Sequence, residues 1–449
     1  MEWEKIQERL LSLLNNGRHH ELKGALTMLN IVDIAQFLEE LDADKRLRVF
    51  RILPKDISAD VFSYMSHDAQ QDLIALIGDQ EINALISDMF LDDAVDFLEE
   101  MPANVVRRIL QNTDVNVRNQ INQLLRYPEN SAGSIMTIEY MEVHAHQTVG
   151  ETMELIRKVG LDKETIYTIY VIDKARHLLG AMPLRKLILE SSDTVVEQIM
   201  NRNITYVSTT SDQEEVADTV RKYDLMAIPV VDTESRLVGI ITADDVMDVI
   251  EEENTEDFER MAALTPAEDP YLMTSAFRLA LNRIPWLLLL SIAAIFTGMI
   301  ITGFEGLLKN ADVVLTACIP MLMDTGGNCG AQVSTLMIRG LALGELDFKD
   351  ILKILWKEFR VGAMIGAVLS VFTFLRVLFI NQASAGVSLV VASALFCTVI
   401  LAKIIGCCLP LLAKKVKLDP AMMASPLITT IVDACSLALY FSIAKVVLF

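Results

Sequence analysis

The sequence predicts a multidomain membrane protein with three parts: an all-α superhelical N-terminal domain, an α/β module built as a duplicated pair, and an α-helical domain of five transmembrane spans. Charge is the first observation behind this. Of 60 acids in the 449 residues only nine lie from Tyr271 onward, against fourteen of the 39 bases, so residues 1–270 carry −26 and the remainder +5. Hydropathy is the second: amphipathic periodicity fills the front and long apolar runs fill the back. The third is a pattern that occurs twice between them.

Residues 1–128 read as short amphipathic helices. The segments beginning Asp33-Ile-Ala-Gln-Phe-Leu, Asp56-Ile-Ser-Ala-Asp-Val and Asp93-Ala-Val-Asp-Phe-Leu resemble one another, and in each an Asp can cap a helix. Degenerate helical repeats stack into a superhelix with a polar outer face, a scaffold for binding or gating. Asp92 and Asp96, four apart, are expected on one helix face. Acids near a helix N-terminus are also favoured without any ligand.

Residues 129–253 hold the duplication, in copies at 134–190 and 195–253. Ile135-Met136 matches Ile199-Met200 at an offset of 64, and Gly180 matches Gly239 at an offset of 59. Each copy reads as strand, helix, apolar strand, Asp turn, Gly-containing strand, helix. In the second copy, IPVVDTESRLVGIITADDVMDVI (Ile228–Ile250) resembles the core of the CBS family. That resemblance implies a regulatory pair that binds adenine nucleotides or ions and is not itself an enzyme. Thr242 and Asp245 match the Thr and Asp that such domains turn toward phosphate and ribose, which implies at most one site for ATP or another adenine nucleotide. Pro183 and Lys186 stand there in the first copy. Thr242 equally suits a helix N-cap.

Acids then crowd residues 244–270, where Asp248, Glu252, Glu256 and Glu259 fall near one helix face with Glu251 beside them. Like charges four apart destabilise a helix, so the stripe reads as a solvated linker or as a cation sensor. Its place before the first span favours the sensor. Residues 254–277 are expected to form a connecting helix and 278–449 the membrane domain.

Spans are expected at 285–303, 313–343, 361–380, 387–412 and 426–449, each near or above the ~20 residues that cross hydrocarbon. Pro285-Trp286 is expected to start the first. Basic residues flank the first span, the second-to-third loop and the start of the fifth. This puts the N-terminus and the duplicated module in the cytoplasm and the C-terminus outside. The N-terminus lacks the basic and apolar regions of a secretory signal. All six cysteines lie in the membrane half without a CxxC pair, and read as small packing residues. Gly362 and Gly366 form a GxxxG that reports close helix packing. Lys403 is expected to snorkel toward the cytosolic end.

The central stretch is Ile319–Ile338, IPMLMDTGGNCGAQVSTLMI. Hydrocarbon penalises such polar content unless it is buried in protein or lines water. Gly326-Gly327 is expected to loosen the helix and free carbonyls, with Asn328 and Gln332 adding amide oxygens and Asp433 a carboxylate from the last span. Hard oxygen donors with no His or Cys pair suit Mg2+, Ca2+ or Mn2+ over zinc or copper. Five spans is an odd count for a self-contained two-repeat transporter, so a homodimer sharing one axial path is expected in the bilayer. The acidic front repels nucleic acid.

The whole chain resembles the MgtE family of magnesium channels and transporters, through PMLMDTGGNCGAQ (Pro320–Gln332), SPLITTIVDACSLALYF (Ser425–Phe441), the CBS pair and the helical front. The resemblance implies a homodimer of the inner membrane with an ion path between spans two and five, where Asp433 binds the ion and Gly326 and Asn328 lie opposite. It also implies closure by cytosolic Mg2+ at Asp60, Asp92, Asp96, Asp248, Glu251, Glu256, Glu259 and Asp419; Glu252 joins this set from the helix face above. Two positions depart from some members: Ser425 stands where they have Asn, and Asp324 where they have a small residue, adding a pore-mouth charge or capping a helix break. A broader divalent range including Co2+ and Mn2+, and a membrane-anchored nucleotide sensor, remain as other readings. An enzyme is disfavoured, since no P-loop and no Ser/His/Asp set is present.

Overall fold

The computed structural model describes residues 2–266, 271, 274–306, 313–423 and 425–448. It divides into two compact units, Met1–Glu251 and Glu252–Phe449. The front of the first unit contains helices Glu2–Asn15 (α1), His19–Leu26 (α2), Ile31–Glu39 (α3), Ala43–Phe50 (α4), Lys55–Ser63 (α5), His67–Leu76 (α6), Asp79–Asp88 (α7), Leu91–Glu99 (α8), Ala103–Asn112 (α9) and Val115–Leu124 (α10). Apolar residues at helical spacing put one face of each inward. Phe62 of α5 and Phe97 of α8 meet edge to face with centroids 5.1 Å apart, and each buried ring stabilises by roughly 1.5–3 kcal/mol.

The repeated aspartates do not cap these helices. The N-caps of α3, α5 and α8 are Asn30, Pro54 and Phe90. Asp33 and Asp93 sit inside the first turn, where the helix dipole favours a carboxylate without a capping bond, and the side chain of Asp56 lies outside the described residues. Asp92 and Asp96 differ as well: Asp92 is buried and Asp96 exposed, because burial on α8 wraps past the shared face.

Both copies of the α/β pattern form as expected. Strands Tyr140–His144 (β1), Thr165–Ile172 (β2) and Leu178–Pro183 (β3) make one sheet, with helix Val149–Val159 (α11) between β1 and β2 and Leu184–Leu189 (α12) after β3. A short helix, Val196–Ile199 (α13), leads into the second sheet, made by Val207–Ser208 (β4), Ala227–Val231 (β5) and Leu237–Thr242 (β6) around Gln213–Tyr223 (α14). In each sheet the first pair is parallel and the second antiparallel. The repeated Gly and Met are two halves of one exchange. A Cβ at Gly180 would stand 2.6 Å from the Met200 sulfur, and one at Gly239 2.5 Å from the Met136 sulfur. Each copy thus lodges its leading Met over the glycine of the other. One hydrophobic core runs from Leu10 through the helical front to Ile228, Val246 and Val249 of the second copy.

Helix Ala243–Met261 (α15) continues without a break through the boundary expected at residue 253. Residues 267–270, 272 and 273 of the expected connecting helix lie outside the described residues. The membrane half contains Ala276–Gly303 (α16), Val313–Ala317 (α17), Ile319–Ala342 (α18), Ile351–Phe379 (α19), Ala385–Lys415 (α20) and Ser425–Leu448 (α21). Pro285 lies within α16, which starts nine residues earlier behind Ser275; the Ser275 side chain accepts from the Arg278 N–H at 3.3 Å. Helices α16, α19, α20 and α21 carry segments long and apolar enough to cross a membrane. Helix α18 has the length, but its polar residues keep it below that hydropathy. Helix α20 is central, with 56% of its apolar window buried against 6% for α16. Gly362 and Gly366 lie against Ile400 and Phe396 of α20, as the GxxxG spacing suggests.

Candidate functional site

Helix α18 does not loosen at Gly326-Gly327. The helix is continuous there, and its break falls at Cys318, ahead of Pro320. The glycines serve close approach instead. A Cβ at Gly326 would stand 2.8 Å from Thr398 Cγ2 and 3.0 Å from Val432 Cγ1, and one at Gly327 2.9 Å from Thr429 Cγ2. Spacing alone cannot separate these roles, since a kink and a tight crossing both call for glycine. Asn328 and Gln332, four apart, are exposed on another side of α18. Asp324 lies a turn inside the helix, so it caps no break.

Asp433 sits mid-way along α21, half-buried, with no cationic partner among the described residues. The side chain of Ser425, at the start of that helix, lies outside the described residues. Lys403 does not snorkel. It is buried and its Nζ stands 3.7 Å from Glu358 Oε2, which is also largely buried. An unpaired ammonium inside the bundle is expensive, so a carboxylate from the neighbouring helix holds it.

In the first unit, acids converge where the helical front meets the second α/β copy. Burial first, then the charge of Asp245, holds the Asp92 carboxyl well above the usual carboxylate range. The same two causes push Asp93 to about 6, and Glu164 to about 7 with Asp93 adding to the field. Burial and then the charges of Asp244, Asp93, Asp248 and Asp60 push the Tyr64 hydroxyl up. Glu139 accepts from the Leu91 N–H at 2.9 Å, and Glu164 Oε2 is buried without a hydrogen-bond partner. Asp60, Asp92 and Asp248 of the expected sensing set are thus brought together, with Asp93, Asp244, Asp245, Glu139 and Glu164 added. Glu139 and Glu164 stand just before strands, where no spacing marks them. Among the described residues no three acid, His or Cys side chains form a preformed metal cluster. Buried, mutually repelling carboxylates that do not close a first coordination sphere fit an ion that keeps part of its water shell.

Asp419, Glu256 and Glu259 belong to the second unit. Arg260 donates to both Glu256 and Asp419, an internal cation that the acid pattern did not reveal. Beside them burial, then Asp419, pushes Asp257 up to about 6. Glu251 and Glu252 are exposed on α15. Thr242 donates through its N–H at 3.2 Å and through its hydroxyl to Asp245 Oδ2, so the Asp245 carboxylate satisfies the backbone N–H at the start of α15. Lys186, at the matching place of the first copy, donates to the Ile199 carbonyl. A cavity of about 750 Å³ is lined by Tyr140, Glu142, Arg176, Asp232 and Arg236, and neither Thr242 nor Asp245 lines it.

Sequence comparison decides the family. The magnesium transporter MgtE of Thermus thermophilus is 36% identical, with 99% of each chain covered. The chain belongs to the MgtE family. That of Bacillus subtilis is 34% identical over 99% of this chain and 98% of the relative. The MgtE profile, described as a divalent cation transporter, matches residues 319–443, the MgtE intracellular N domain residues 29–130, and the CBS domain residues 196–252. The profile marks only the second CBS copy, whereas the strand order shows both. Among solved structures, the soluble part of a magnesium transporter aligns at a TM-score of 0.54 and 33% identity, covering 56% of this chain and 99% of that one. The cytosolic domain of the Mg2+ channel MgtE in complex with ATP aligns at 0.52 and 36%, covering 54% and 99%. MgtE proteins are transporters, and the chain is accordingly not an enzyme.

Proposed function

We propose that the chain is a Mg2+-selective passive channel for magnesium uptake, closed by cytosolic Mg2+. The observation that carries it is Asp433: a carboxylate half-way along an apolar helix, with no cationic partner among the described residues. Polar groups at that depth mark ion pathways. Asn328 and Gln332 extend the polar surface along α18, on a side that is exposed in one chain. Exposed amides do not face hydrocarbon, so a second copy encloses them and the channel is a homodimer. Gly326 allows α18 to approach α20 and α21 closely enough to hold this arrangement. One acid per chain across a two-fold axis holds a hydrated ion through its water, which combines selectivity with release.

Gating follows from the acids of the front and of α15. Asp60, Asp92, Asp96, Asp248 and Glu251 form one acidic set in the first unit, and Glu252, Glu256, Glu259 and Asp419 another in the second; within each set the density of carboxylates favours binding of a divalent cation. An ion that binds only the compact state shifts the balance toward closure. The protein sits in the inner membrane with both termini placed by the basic loops: N-terminus and CBS pair in the cytoplasm, C-terminus outside. The CBS pair takes an adenine nucleotide at Thr242 and Asp245, supported by the ATP complex of a related cytosolic domain. Asp433→Ala, reconstituted in liposomes and still folded, is expected to lose Mg2+ flux; unchanged flux removes Asp433 from the path.

A further inference from the structure

We propose that Asp324 is a second carboxylate of the ion path, paired with Asp433, so that each chain contributes two negative charges to it. The proposal rests on the reading of Asp433 given above and extends it to a residue that the glycine motif does not contain.

The register of α18 on α21 supplies the geometry. Gly330 approaches Ile428, Gly327 approaches Thr429, and Gly326 approaches Val432 and Ser436. Falling numbers on one helix meet rising numbers on the other, so the two run antiparallel. Asp324 lies one turn before Gly327, and Asp433 one turn beyond Thr429. The same crossing therefore carries both carboxylates to one place.

Exposure adds a second, independent argument. Asp324, Asn328 and Gln332 recur every four residues and are all exposed, while Gly326, Gly327 and Gly330 are buried. Asp324 thus heads the same stripe as the two amides. Polarity also continues inward from it. Ser436, one turn past Asp433, and Thr398 are both 0% exposed, and neither hydroxyl has a hydrogen-bond partner among the described residues. Both flank Gly326, the Ser436 Oγ lying 3.3 Å from where a Cβ there would stand.

Two bases held within the bundle are engaged elsewhere. Lys403 faces Glu358, and the Arg376 guanidinium faces the sulfurs of Cys318 and Met321. Among the described residues neither Asp324 nor Asp433 forms an ion pair. Attraction scales with the product of charges, so two facing carboxylates favour a divalent ion over a monovalent one more strongly than a single carboxylate does.

The test is Mg2+ flux in liposomes carrying the full chain, measured against Mg2+ concentration and in competition with K+. Asp324→Asn, Asp324→Glu and Asp433→Asn are compared after each is shown to be monodisperse. Asp433→Asn is expected to abolish flux. Asp324→Asn is expected to raise the half-saturating Mg2+ concentration roughly tenfold and to weaken discrimination against K+, with Asp324→Glu restoring both. Flux lost in Asp433→Asn but unaltered half-saturation and discrimination in Asp324→Asn overturns the proposal and leaves Asp433 in place. Wild-type flux in Asp433→Asn removes the underlying reading, and the proposal with it. Asp324→Glu behaving like Asp324→Asn also overturns it, because a merely structural role is not rescued by charge. If Asp324→Asn does not fold, Asp324→Ser is judged by the same criteria.

Discussion

The two units handle carboxylates in opposite ways. Around Asp92, Asp93, Glu164 and Asp245 the first unit buries acids side by side, and burial together with mutual repulsion raises their affinity for protons. The membrane bundle instead pairs its buried base off, Lys403 against Glu358, and leaves few acids along one polar edge. On the proposed reading, crowding makes the front sensitive to divalent cations, which relieve the repulsion between its acids. Sparseness makes the bundle permissive, because an ion held by few charges can leave. The proposed switch and the proposed path would thus use the same side chain at different densities.

The most damaging way to break the contrast is to unpair the bundle's ion pair. Lys403→Met leaves Glu358 buried alone and is expected to destabilise the membrane unit by about 3–5 kcal/mol. Adding Glu358→Gln should recover most of that in thermal unfolding of the detergent-solubilised protein. Next comes the glycine crossing. Gly327→Val drives a side chain into Thr429 and should cost about 1–3 kcal/mol through overpacking. Thr429→Ala in the same chain is expected to return part of the stability and the flux; no recovery would place the clash elsewhere.

The front is expected to respond to pH. Asp93 at about 6 and Glu164 at about 7 hold protons that the unfolded chain has already released. Their contribution to stability is full below the ordinary carboxylate range and is lost as pH rises through about 6 and then about 7. Without divalent cation, protease resistance of residues 1–251 should therefore fall between pH 5 and pH 8 (roughly, from the ordinary carboxylate range upward). Millimolar Mg2+ should restore it. The smallest effect belongs to Arg260, which is partly exposed. Arg260→Ala removes the internal cation between Glu256 and Asp419, for a loss on the order of 1 kcal/mol. It should raise the Mg2+ concentration needed for closure if the ion must then replace that charge.

Much of this was legible in the sequence, and the failures have a common cause. Helical periodicity located the front, and the repeated Ile-Met and Gly located both CBS copies, because local pattern and packing agree there. The polar residues of α18 were also visible. What Gly326-Gly327 does was not, since the partners that occupy the space, Thr398, Thr429 and Val432, lie far along the chain. Lys403 was misplaced for the same reason, its partner Glu358 being on another helix. Glu139 and Glu164 carry no motif and matter only because folding brings them beside Asp92 and Asp93. The aspartates of the front are a separate case, since aspartate suits both the cap and the first turn and residue type alone does not tell the two apart.

The most direct measurement is Mg2+ flux into liposomes carrying the purified protein, with the Mg2+ concentration on the cytosolic face as the variable. Flux that is present at low cytosolic Mg2+ and falls as it reaches the millimolar range is the predicted result. Flux indifferent to cytosolic Mg2+ would contradict the switch, and its absence under every condition would contradict the path.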